Sequence, residues 1–148
     1  MRSRQLEGTY PGLSTTGTWI LTSLRVSKGW GAPDESDWPY PRKGDPWPPH
    51  EPTGIDEKAK KRRILAYERV RSIEDCLSLL RSRHAIGAGF HIDNSWPNAP
   101  NGIIPTPEGR NIISAHSIQI VGYDLEAKRF TFANSWGKNW GDKGYGYL

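Results

Sequence analysis

One cysteine, Cys76, is all that these 148 residues carry. A lone thiol excludes an intrachain disulfide and every zinc site built on clustered cysteines, so no metal centre and no cofactor is expected. Such cysteine usage is compatible with a reducing compartment. The chain also lacks any run of about 18 apolar residues. Its opening, MRSRQLEGTY, carries charge where an export signal would carry its apolar segment. No membrane span and no membrane partner is expected, and the expected location is cytoplasmic.

Apolar residues make up 35% of the chain, and its 16 glycines bring the total near the ordinary globular range. The length suits one domain with a real core, not two independent ones. The net charge of +4 comes largely from KAKKRR at 58–63, the kind of basic run that can meet nucleic acid. Here Asp56, Glu57, Glu68, Glu74 and Asp75 flank it, and no aromatic-glycine pattern of an RNA-binding sheet accompanies it, so no nucleic-acid partner is expected.

Helical material comes first. Trp19, Ile20, Leu24 and Ser27 fall on one face of a helix predicted over about 17–28, before a Gly-Trp-Gly stop. Residues 32–54 hold seven of the twelve prolines, which lack amide donors and forbid helix, and they read as an extended surface loop. A second helix is predicted from Ser72 to about Arg83, with Ser72 as cap, Asp75 at its third position and Ile73, Cys76, Leu77 and Leu80 as its apolar stripe. The period then changes. Residues 85–93, 116–124 and 128–136 alternate as strands do, the last two joined by Asp-Leu-Glu-Ala-Lys into an antiparallel hairpin, and the glycine-rich end supplies one more short strand. Helices followed by antiparallel strands make an α+β chain with segregated layers.

The chemistry gathers on the hairpin. His116 heads one strand and Asn134 ends its partner, so the turn brings them to the same end of the sheet across 18 residues of sequence. An Asn carbonyl oxygen there accepts from one ring N–H and fixes the imidazole tautomer, leaving the other ring nitrogen for a nucleophile. Trp136 shares a face with Asn134 and shields that hydrogen bond from water. These are the base and orienter of a nucleophile-base-orienter triad. Cys76 sits on the apolar stripe of its helix, away from the helix start or cation that lowers a thiol pKa, and reads as a buried structural thiol. His50, His84 and His91 read as surface or packing residues, and the seven tryptophans mostly as core and loop anchors.

The stretches SAHSIQIVGYD (114–124) and ANSWGKNWGDKGYGYL (133–148) resemble the His and Asn regions of papain-like cysteine peptidases. TTGTWILTSLRVSKGWGAPDESDWPY (15–40) is similar to that family's glycine-bordered substrate wall, helix and Pro-Tyr loop. YERVRSIEDCLSLLRSRHAIGAGFHID (67–93) looks like its Tyr-x-x-Val strand, short helix and first barrel strand. The resemblance spans nearly the whole chain. It implies His116 as base, Asn134 as orienter and Gly17 at the substrate cleft, where a missing Cβ lets a peptide backbone approach. The implied fold is an incomplete helical left domain (1–54, with the proline-rich loop) and an antiparallel open-barrel right domain (55–148).

In that family an oxyanion Gln and a Gly-x-Cys-Trp nucleophile stand well before the region that begins here, and this sequence has neither. Leu148 also falls inside what should be a closing strand. The expectation is therefore a fragment, a split subunit or a truncated relic covering the last two thirds of a peptidase domain. Two functional classes follow. One is a peptidase portion that acts on a peptide or protein substrate once joined to a Cys-bearing complementary segment or chain. The other is a catalytically inactive papain-like binding or scaffold module.

Overall fold

Helices come first along the chain and antiparallel strands after them, the α+β order expected from the pattern. The computed structural model describes residues 1–12, 17–42, 44–106 and 111–148. They cluster into two units, Met1–Arg69 and Val70–Leu148, so residues 55–69 group with the helical first part. No helix among the described residues is long and apolar enough to cross a membrane.

The first unit holds α1 (Arg2–Leu6), α2 (Ile20–Gly29) and α3 (Ile55–Ala59), the last continued by a 3-10 turn at Lys60–Arg62. The start of α2 departs from expectation. Trp19 is the N-cap, extended at φ −71° and ψ 138°, and is 77% exposed. It therefore stands outside the helical face that Ile20, Leu24 and Ser27 half-bury. Trp19 has no acceptor to cap its own helix, and Glu7 instead holds the residues that lead into it. Thr18 Oγ1–H donates to the Glu7 carboxylate at 2.9 Å and the Trp19 N–H at 3.0 Å. Hydrogen bonds from Thr22 above all, then from Trp19 and Thr18, hold the Glu7 carboxyl below its ordinary range. An anion at a helix start also complements the helix dipole.

Residues 32–54 form no helix or strand among the described residues, as proline density requires. They are nonetheless anchored. The Trp47 indole N–H donates to the carbonyls of Pro11 and Gly12 at 3.2 and 3.0 Å, and the buried Arg4 guanidinium lies 5.1 Å from the Trp47 ring centroid. Arg2 pairs with Asp56 at 3.0 Å and with Glu51. The loop also supplies acids to the basic run. Lys58 pairs with Asp37 at 2.6 Å and Arg62 with Asp34 at 2.7 Å, while Lys60 meets Glu57. Such exposed pairs add little stability, but they cancel much of the field that 58–63 would present to a polyanion.

In the second unit α4 spans Ile73–Arg81. Ser72 Oγ accepts from the Asp75 N–H at 3.0 Å and the Asp75 carboxylate accepts from the Arg71 N–H at 3.2 Å, a cap worth about 1 kcal/mol. The helix closes in a Schellman arrangement. The His84 N–H reaches the Leu79 carbonyl, the Arg83 N–H reaches that of Leu80, and Arg83 takes φ 61°. The apolar stripe is rotated from the one expected. Cys76, Leu79 and Leu80 pack on the core, whereas Ile73 is 62% exposed. Upstream, Tyr67–Val70 is not a strand in the structure; nothing among the described residues pairs with it, and Val70 is held by core packing instead.

The sheet is antiparallel in the order β1 (Ile86–Ile92), β2 (Ser114–Asp124), β3 (Arg129–Ala133) and β4 (Tyr145–Tyr147). The hairpin turn at 125–128 forms because the Asp124 carboxylate accepts from the N–H groups of Glu126 and Ala127, both at 2.9 Å. Ile86, Ile92, Trp96, Ala99, Ile118, Ile120, Phe132 and Trp140 make the core, with Phe132 fully buried. Gly146 lies opposite Phe132, and a Cβ there would stand 2.3 Å from Phe132 Cζ and 2.8 Å from Trp140 Cη2. Only glycine fits. Gly146→Ala is expected to destabilise the chain by about 1–3 kcal/mol through overpacking, read as a lower denaturant midpoint in tryptophan fluorescence. An unchanged midpoint would contradict this packing.

Candidate functional site

His116 is the third residue of β2 and lies opposite Phe90 of β1. Asn134 follows the last residue of β3, where its N–H donates to the Gly144 carbonyl at 2.9 Å. Their meeting depends on a β-bulge. Near the turn Gly122 pairs with Thr131 and Tyr123 with Phe130, but beyond it Ile120 pairs with Phe132 and Gln119 with Ala133. The register slips by one residue at Val121. Continued without the slip, the turn-proximal pairing would put Ala133 and Ser135 on the His116 face and Asn134 on the other. With it, His116, Ile118 and Ile120 share their face with Phe132 and Asn134.

The structure brings the two side chains together, with His116 Nε2 and Asn134 Oδ1 2.8 Å apart. Donor and acceptor follow from a neighbour. The Ser135 backbone N–H, which can only donate, also points at Asn134 Oδ1, at 2.8 Å. Flipping the amide would set an NH2 group against that N–H, so the oxygen must stay where it is. His116 Nε2 therefore carries a proton, and the neutral ring holds its lone pair on Nδ1. Asn134 Nδ2 is buried without a partner among the described residues, which makes the amide's orientation depend wholly on its oxygen.

Aromatic rings surround the dyad. Trp136 lies over His116 with centroids 4.7 Å apart and planes 31° from parallel, and Trp96 stands nearly perpendicular to the imidazole at 6.4 Å. Trp136 and Trp140 meet edge to face at 5.3 Å. Excluding water lowers the local dielectric and strengthens the Asn134 to His116 hydrogen bond. Trp96 is the residue that sequence reasoning missed. Its loop, 93–102, is set by Ser95, whose N–H and hydroxyl both donate to the buried Asp93 carboxylate.

Gly17 lies in the first unit, in the exposed residues before α2, with no heavy atom within 4 Å of where a Cβ would be. Thr15 and Thr16, the start of the stretch compared with a substrate wall, lie outside the described residues. His50, His84 and His91 are exposed. Cys76 is half-buried against the core, less enclosed than expected. Burial first, then the Asp75 charge, push its thiol pKa up, away from the depressed value a nucleophilic cysteine needs. Labelling of native Cys76 by a thiol reagent is therefore expected to be slow at neutral pH, to rise with pH above the ordinary thiol range, and to quicken in Asp75→Asn. Rapid stoichiometric labelling at neutral pH with the fold intact would contradict this.

Comparison with known proteins accords with this geometry. Residues 8–148 match the papain family cysteine protease profile. A peptidase C1-like protein of Acanthamoeba polyphaga mimivirus, itself uncharacterized, is 30% identical over 144 residues, which is 88% of this chain and 45% of that protein. Xylellain, a cysteine protease from Xylella fastidiosa, superposes with a TM-score of 0.86 at 28% identity, covering 99% of this chain and 59% of that one. Bromelain from Ananas comosus, solved with the E64 inhibitor, shares the fold at a TM-score of 0.67 and 19% identity, over 92% of this chain and 62% of its own. The chain thus spans about half the length of the relatives it matches.

Proposed function

The chain belongs to the papain family of cysteine proteases, and from that premise we propose that it supplies the base and orienter of a Cys-His-Asn peptidase whose nucleophile comes from a complementary Cys-bearing segment. The observation that carries this reading is the 2.8 Å contact between His116 Nε2 and Asn134 Oδ1, with the amide oxygen held by the Ser135 N–H. That arrangement leaves Nδ1 as the acceptor for a thiol proton. The thiolate so formed attacks a peptide carbonyl, and the tetrahedral intermediate collapses as the His116 imidazolium returns the proton to the departing amine. Water then hydrolyses the thioester, with His116 again as base. Asn134 stabilises the imidazolium by accepting from Nε2–H throughout. In the same reading Gly17 offers backbone to an extended peptide, and the open space beside its Cα supports that role.

Cys76 supports assigning the nucleophile elsewhere, since it is the one thiol of the chain, packs on the core and has a raised pKa. The test is a fluorogenic peptide assay under reducing conditions. The 148-residue chain by itself is expected to be silent, and turnover is expected when a Gly-x-Cys-Trp segment with its oxyanion Gln is fused or added. His116→Ala in the supplemented protein should lower kcat by about 10²–10⁴-fold, the usual contribution of a general base. Turnover by the chain by itself that vanishes in Cys76→Ser would overturn the assignment of the nucleophile. Silence after supplementation with a folded segment would favour the inactive binding module.

A further inference from the structure

Three cations and two carboxylates line one cavity of about 610 Å³ in the first unit: Lys58, Lys61, Arg62, Asp34 and Asp37. The cations come from a short helical stretch. Lys58 stands in α3, and Lys61 and Arg62 follow in the 3-10 turn that continues it, so residues three and four apart share one side. The acids come from the proline-rich loop. There the Asp34 carbonyl accepts from the N–H groups of Asp37 and Trp38 at 3.0 and 3.1 Å, a turn that sets two carboxylates three residues apart. Lys58 Nζ donates to Asp37 Oδ1 at 2.6 Å, and Arg62 Nη2 lies 2.7 and 2.9 Å from the two Asp34 carboxylate oxygens.

Lys61 is the surplus charge. It lines the same cavity and has no acidic partner among the described residues, whereas Lys60 and Arg62 on either side each have one. The pairs beside it are wet, with the Lys58 and Arg62 side chains 54% and 62% exposed, and exposed pairs open readily to a competitor of like charge. We propose that this cavity is a docking site for an acidic peptide segment of a partner protein, with the Asp34–Asp37 turn as its built-in competitor. The cavity already holds peptide carboxylates, which shows the chemistry that it accepts. An incoming segment with three acids replaces Asp34 and Asp37 one for one and adds a contact to Lys61, and that third contact favours the exchange. A long polymer charged at every unit fits less well, because Asp56 and Glu57 stand in the same short helix as Lys58 and repel it. While the turn is in place it lowers the apparent affinity by the fraction of time that the cations are occupied. The inference is independent of the peptidase reading, since His116 and Asn134 belong to the second unit.

The experiment is fluorescence anisotropy on the 148-residue chain. Its probe is a labelled peptide that repeats Pro-Asp-Glu-Ser-Asp, the sequence of 33–37, followed by two further glutamates. Binding is expected at low salt and weakens as salt is added. In the double variant Asp34→Asn with Asp37→Asn, whose competitor keeps its shape and loses its charge, affinity is expected to rise about two- to tenfold. A charge-matched control, Glu74→Gln with Glu126→Gln at exposed positions of the second unit, leaves it unchanged. Lys61→Ala is expected to weaken binding about two- to fivefold in the parent and in the Asn double variant alike. Should the Asn double variant lose its fold, Lys61→Ala in the parent decides. Absence of binding at low salt would overturn the proposal, as would an affinity that fails to rise in the folded Asn variant or is indifferent to Lys61→Ala. A DNA duplex that binds more tightly than the peptide, with the same dependence on Lys61, would overturn it in favour of a polyanion surface.

Discussion

A single extra residue in β2 decides what the sheet can do. Because side chains alternate along a strand, the slip of pairing at Val121 sets which of Ala133, Asn134 and Ser135 shares a face with His116. It selects Asn134, and the same choice sends Phe132 into the core opposite Gly146. Fold and chemistry are thus tied to one register. A strand that paired without the bulge would expose Phe132 and separate the base from its orienter in one step.

The core and the candidate site are also one cluster of rings. Phe132 packs between Trp96 and Trp140 at 5.6 and 5.8 Å, and those tryptophans reach His116 directly or through Trp136. Rings of this kind contribute buried area and oriented edge-to-face contacts at once. Around a polar dyad they do something further, because a hydrogen bond among them is made in a medium with little competing water. The position of the imidazole is then set by the packing that stabilises the unit.

Much of this could be read from residue order, and the gaps have physical causes. Ser72 and Asp75 mark the start of α4 because capping is local chemistry, and the hairpin follows from period-2 alternation about a turn. The pairing of His116 with Asn134 was legible for the same reason, as both lie on one hairpin. The bulge was not, since Val121 is as good a strand residue as its neighbours and nothing near it announces an insertion. Trp19 stands outside the helix because the approach to α2 is held by Glu7, a partner eleven residues away from Thr18. Trp96 was missed because a loop brings it to His116. The triplet Asn-Ser-Trp does recur, at 94–96 and 134–136, yet a carboxylate from the preceding Asp93 takes the Ser95 N–H in the first and the Asn side chain itself takes the Ser135 N–H in the second.

The central claim is that Ser135 and Asn134 together dictate which nitrogen of His116 bears the proton. Long-range ¹H–¹⁵N correlation on the imidazole of the 148-residue chain, recorded where the ring is neutral, reads this directly. The account predicts a protonated Nε2 and an Nδ1 with the shift of a bare lone pair, collapsing to a mixture of tautomers in Asn134→Ala. A ring protonated at Nδ1 in the parent chain, or a tautomer indifferent to Asn134→Ala, would contradict it.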